Sequence, residues 1–98
     1  MITHVVMIRF RAGVTDEAIR AIEQRIAALA GRIPGLESME TGRNFSPEER
    51  AMDLVLIARL TTREALAGYA VHPEHLAVID ALKPLADYTQ VVDYETDD

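Results

Sequence analysis

Two stretches of this chain are apolar on both of their faces. From Ile2 to Arg11, the side chains of Ile2, His4, Val6, Ile8 and Phe10 alternate with those of Thr3, Val5, Met7, Arg9 and Arg11. From Met52 to Leu60, Leu54, Leu56, Ala58 and Leu60 alternate with Val55 and Ile57. A period of two predicts strands. A strand with apolar residues on both sides has to be covered on both sides. The 98 residues are enough for one domain and one core, not two. Whatever shelters the second side of these strands must therefore be found outside an ordinary single layer of helices.

Between and after them the pattern changes. Thr15 is placed to cap a helix, with Asp16 and Glu17 in its first turn, where the helix dipole favours negative charge. Ile19, Ile22, Ile26 and Leu29 form one apolar stripe, and Gly31 and Pro34 end the helix. Leu36 to Gly42 reads as a second strand, interrupted by Glu37, Ser38 and Glu40 and so suited to a sheet edge. Residues 42–50 are rich in turn formers and read as a loop. Thr61 or Thr62 can cap a short helix ending near Tyr69. Pro73 suits the start of another, running to about Leu82 and closed by Pro84. Tyr88 to Glu95 is the last strand, and the acidic end, residues 95–98, is expected to fray.

The order β-α-β-β-α-β is the split arrangement of a ferredoxin-like α+β sandwich, here a single domain over residues 1–98. Helices cover one face of such a sheet. The opposite face would carry Val5, Met7, Val55, Ile57 and either Val91 or Val92, a patch too large for a comfortable monomer. Packing two sheets face to face around a twofold axis removes it, so a homodimer is expected, paired through the face away from the helices.

Charge and composition exclude several partners. The net charge is −6, and ten Lys and Arg are scattered along the chain, which leaves no basic face for nucleic acid or for an anionic membrane. The apolar N-terminal run is too short to span a bilayer and lacks the features of a secretion signal. With no cysteine there are no disulfides, thiolate metal sites or cysteine nucleophiles, and a cytoplasmic protein is expected.

Chemistry-bearing residues concentrate in Tyr69-Ala70-Val71-His72-Pro73-Glu74-His75, which holds two of the three histidines. His72 precedes proline and is pushed out of the helical region, so the chain bends between two helices and can bring a phenol and an imidazole together. A neutral imidazole can take a proton from an activated carbon, and a tyrosine hydroxyl can polarise a carbonyl. Each residue also has a plainer reading. His75 would bond a backbone carbonyl or Tyr69, His4 would be a satisfied core residue, His72 would cap the second helix, and Tyr69 would pack its ring with a wet hydroxyl. His72 and His75 are three apart, but His72 sits at the bend and Glu74 points elsewhere, so neither a metal site nor a cofactor is expected.

The chain resembles the stress-responsive dimeric α/β-barrel (Dabb) family over nearly its whole length. The matching residues are His4 and the strand to Phe10, Ile33-Pro34-Gly35, Gly42-Arg43-Asn44 with Ser46-Pro47, Asp53-Leu54, Tyr69, His72-Pro73 with His75, Lys83-Pro84, and Val92-Asp93-Tyr94. The resemblance implies a ferredoxin-like fold whose sheets meet as a barrel across a dimer. More distantly the chain is similar to the plant olivetolic acid cyclases, which close a polyketide by a cofactor-free aldol step. That similarity places a catalytic tyrosine and histidine on Tyr69 and His75 and a further pocket histidine on His4. Ile22, Glu23, Ile26 and Ala86 stand where those cyclases carry bulky aromatics.

Two functions follow as expectations. The first is a homodimer that binds a small organic molecule in a pocket between sheet and helices, with His4, Val6, Ile8, Leu56 and His72 as ligand-binding residues beside Tyr69 and His75. The second is a cofactor-independent cyclase or other enolising enzyme, with His75 as base and Tyr69 as hydrogen-bond donor.

Overall fold

The computed structural model describes residues 1–97. The elements run β1 (Ile2–Phe10), α1 (Asp16–Ala27), β2 (Leu36–Arg43), β3 (Leu54–Leu60), α2 (Arg63–Val71), α3 (Pro73–Leu82) and β4 (Ala86–Glu95). The four strands form one antiparallel sheet in the order β2-β3-β1-β4. This is the ferredoxin-like arrangement expected from the sequence. The two doubly apolar strands, β1 and β3, lie in the middle, and the polar β2 is an edge.

The helices pack on one face of that sheet. Ile2, Ile8 and Phe10 of β1 and Leu54, Leu56, Ala58 and Leu60 of β3 join Ile22 and Ile26 of α1, Tyr69 of α2 and Val78 of α3 in a single buried core. Their opposite numbers, Val5, Met7, Val55 and Ile57, are only partly covered by this chain. The register settles the pair left open by the sequence. Val92 lies opposite Val5 on the uncovered face, whereas Val91 lies opposite Val6 on the helix side.

Caps and turns set the boundaries. Thr15 Oγ1 accepts from the Ala18 amide at 3.1 Å, and Thr62 Oγ1 from the Ala65 amide at 3.0 Å, each satisfying one of the orphan donors at a helix start. The regular part of α1 stops at Ala27, earlier than Gly31. Tighter turns closed by i to i+3 bonds then carry the chain on, with Leu29 and Ile33 still buried. β3 begins at Leu54 rather than Met52, because the Asp53 carboxylate takes the Phe10 amide at 2.8 Å and replaces a ladder bond. β4 starts two residues before Tyr88, where a bulge at Arg9/Phe10 lets Ala86 pair with Phe10.

The expected fraying of the acidic end needs correcting. Glu95 is part of β4, and Met1 and Thr96 exchange two main-chain bonds of 3.0 and 2.9 Å beyond it. Asp98 lies outside the described residues.

Candidate functional site

Three elements bring the singled-out side chains together. His4 comes from the helix-facing side of β1, Tyr69 from the last turn of α2, and His75 from the first turn of α3. The Tyr69 and His75 rings lie 4.1 Å apart with planes inclined by 32°, and the His4 ring meets Tyr69 edge-on at 5.7 Å. Tyr69 thus sits between two imidazoles.

The bend at His72 makes this possible. Its backbone is extended, with φ −66° and ψ 134°, and Pro73 opens the next helix. The His72 Nδ1 accepts from the Glu74 amide at 3.1 Å, while its own amide donates to the Tyr69 carbonyl at 3.2 Å. One residue therefore closes α2 and caps α3. The break also turns the Ala70 carbonyl toward the following helix, where it lies 3.2 Å from His75 Nδ1. A carbonyl oxygen only accepts, so this ring nitrogen carries the proton and Nε2 is left as an acceptor. On β1, His4 lies directly opposite Asp93 of β4, and His4 Nδ1 is 2.5 Å from Asp93 Oδ1.

Burial tunes the two groups in opposite directions. Tyr69 is 2% exposed, and its desolvation pushes the phenol up to about 12, which keeps it a hydrogen-bond donor. Desolvation pulls His75 below the ordinary imidazole value, which favours the neutral base; the Ala70 carbonyl opposes this only in part. The Tyr69 ring packs as expected for a tyrosine near a helix end, and it is one of the most deeply buried side chains in the molecule.

These groups form one wall of a cavity of about 560 Å³ between the sheet and helices α1 and α3. Of the residues expected at a ligand site, His4, Val6, Leu56, Tyr69 and His75 line it. Two others are placed elsewhere. Ile8 is fully buried further along β1, inside the core, and His72 is committed to the helix cap. Ile26 and Leu29 of α1, Val78, Ile79 and Leu82 of α3 and Val91 of β4 complete the apolar lining. Lys83 and Asp87 also line the cavity, beyond the far end of α3 from His75. His75 and Lys83 are eight residues apart, which spans about 12 Å along a helix.

Sequence reading passed over Asp93, Lys83 and Asp87 as site residues. Asp93 carried little signal of its own, because a carboxylate 44% exposed on an edge strand needs no protein partner, although His4 supplies one. Finding that partner required the β1–β4 register. Among the described residues, no group of three or more histidine, aspartate or glutamate side chains converges in a way that could hold a metal ion. No helix among them is long and apolar enough to cross a membrane.

Comparison with known proteins bears on the family and the fold. The chain is 29% identical over 97 residues to an uncharacterised protein of Streptomyces coelicolor, covering 97% of this chain and 99% of that one. It is 27% identical over 96 residues to the stress-response A/B barrel domain-containing protein HS1 of Arabidopsis thaliana, covering 96% and 88%. It superposes with a TM-score of 0.85 on a crystal structure from Bacteroides fragilis, described as a dimeric protein of ferredoxin-like fold. That protein is 26% identical, and 97% of this chain and 95% of that one are covered. Residues 2–96 match the family profile as one continuous segment, and the chain belongs to the stress responsive A/B barrel domain family.

Proposed function

We propose that this protein is a homodimer whose subunits each bind a small organic molecule in the cavity between sheet and helices. The observation that carries the reading is a largely apolar space of about 560 Å³ with Tyr69, His75 and His4 gathered at one wall. That volume and that lining, apolar with a few convergent polar groups, are those of small-molecule sites. Dimerisation is supported by the apolar patch around Val5, Met7, Val55, Ile57 and Val92, and by the dimeric description of the Bacteroides fragilis relative. Lys83 stands about 12 Å from His75 along α3, so an elongated ligand would meet apolar walls between two polar ends.

A second reading, enolising catalysis, is favoured by the opposed tuning of Tyr69 and His75. His75 Nε2 would take a proton from the carbon next to a carbonyl. The electron pair of the broken C–H bond would form the C=C bond of an enolate, whose oxygen Tyr69 would hydrogen-bond. Return of a proton to the same carbon completes an exchange; attack of that carbon on a second carbonyl completes an aldol closure.

Titration of the 15N-labelled protein with 2-heptanone and 4-butylphenol tests binding. Saturable shifts confined to the amides around Tyr69, His75, Val78 and Val91 are expected, and Val91→Trp, which fills the cavity from an exposed strand, should abolish them. Shifts scattered over the open sheet face, or none with either compound, would count against the pocket. Loss of α-protons of the ketone in D2O, absent in His75→Ala while binding persists, would separate catalyst from binder.

A further inference from the structure

We infer that Asp93 is a positioning residue that holds His4 as its Nδ1–H tautomer, making His4 Nε2 a second unprotonated acceptor facing the cavity. This rests on reading the cavity as a ligand or reaction site, and it adds a residue and a chemical preference to that reading. Asp93 Oδ1 lies 2.5 Å from His4 Nδ1. A carboxylate offers only acceptor lone pairs, so the proton of that bond sits on Nδ1 and the bond is charge-assisted. The ring edge carrying Nε2 is then left for the cavity that His4 lines.

The pair is built in rather than casual. His4 and Asp93 are direct partners in the β1–β4 ladder, which runs without a break from Ile2↔Glu95 to Arg9↔Tyr88 and continues past Asp93 to the Met1–Thr96 bonds. The His4 side chain is 15% exposed and that of Asp93 44% exposed, so the histidine faces inward and the carboxylate holds it from the strand edge. Arg63, which shares a surface depression with Asp93, is bonded to Glu95 at 2.9 Å. His75 reaches the same state by a different route, spending its Nδ1 proton on the Ala70 carbonyl. His72 shows the opposite tautomer, because its Nδ1 accepts from the Glu74 amide.

Two imidazole acceptors then flank the Tyr69 phenol. Such a wall suits ligands that present hydroxyl, enol or acidic C–H protons. A carboxylate placed there would face two lone pairs and the nearby charge of Asp93. The chemistry favours neutral ligands that donate at this end.

The test needs no ligand. Long-range 1H–15N correlation of the histidine rings in the 15N-labelled full-length protein reports which nitrogen carries the proton, at about pH 8, where ordinary imidazoles are neutral. The wild-type protein is expected to show His4 protonated on Nδ1 and unprotonated on Nε2. In Asp93→Ala, His4 should shift to the Nε2–H form or to a mixture, with His75 unchanged. Should Asp93→Ala fail to give a dispersed spectrum, Asp93→Asn, which keeps the shape and removes the charge, is read in the same way. A wild-type His4 already protonated on Nε2, or one whose tautomer is indifferent to these substitutions, overturns the assignment. Either result leaves the ketone and phenol titrations untouched, and a failed titration leaves the tautomer standing, so the two readings fail separately.

Discussion

At the scale of single residues, Tyr69 and His75 share a ring contact but respond to burial with opposite signs. His75 titrates below its unfolded value in the folded chain. The unfolded chain therefore binds more protons as the pH falls through about 6.5, and stability drops from there down to the folded value. Chemical denaturation of wild type and His75→Gln between pH 8 and pH 5 should show a steeper acid loss in the wild type; parallel profiles would refute it. Tyr69, raised to about 12, works the other way. Its unfolded phenol ionises near 10, so stability is lost as the pH climbs from about 10 toward 12. Tyr69→Phe should flatten that alkaline limb relative to wild type, measured by the same denaturant midpoints.

At the scale of elements, the site depends on how closely α2 approaches the turn before β2. Gly35 has φ +81°, a conformation that strains any other residue, and a Cβ there would fall 2.5 Å from the Ala65 Cβ and 3.1 Å from Thr61 Oγ1. The Gly35 carbonyl also accepts from the Thr61 amide at 3.0 Å at the start of α2. Gly35→Ala must therefore push α2 away. The expected cost is about 2 kcal/mol or more from combined backbone strain and overpacking, read as a fall in melting temperature on the order of 10 °C. Because α2 carries Tyr69, ligand shifts at the cavity should weaken with it. A variant that melts with the wild type would mean that the turn and helix can part freely.

At the scale of the whole molecule, the proposed dimer rests on the uncovered sheet face. Val92 is 53% exposed and lies beside Val5, with Tyr94 half exposed further along β4. Val92→Glu would place like charges near each other in a twofold pairing and desolvate both. Sedimentation velocity at micromolar concentration should give the wild type at twice the 10.9 kDa chain mass and the variant at the chain mass. A wild type that runs as a single chain would remove the reason for two-sided strands.

Much of this was legible in the residue order, and for identifiable reasons. The alternation in β1 and β3, the caps Thr15 and Thr62, and the His72-Pro73 break are local properties, fixed by neighbours a few residues apart. They determined the element order, the ferredoxin-like class and the bend that carries Tyr69 and His75 on successive helices. Register is not local. Whether Val91 or Val92 faces the helices, and whether Asp93 meets His4, depends on how β4 slides against β1, and a slip of one residue exchanges the faces. The cavity is likewise a space left between elements, so no residue pattern states its volume, its loss of Ile8 to the core, or the depth at which it buries the Tyr69 ring. The chain dictated which groups could meet; packing decided which of them did, because long-range pairing alone places side chains that are far apart in sequence within bonding distance.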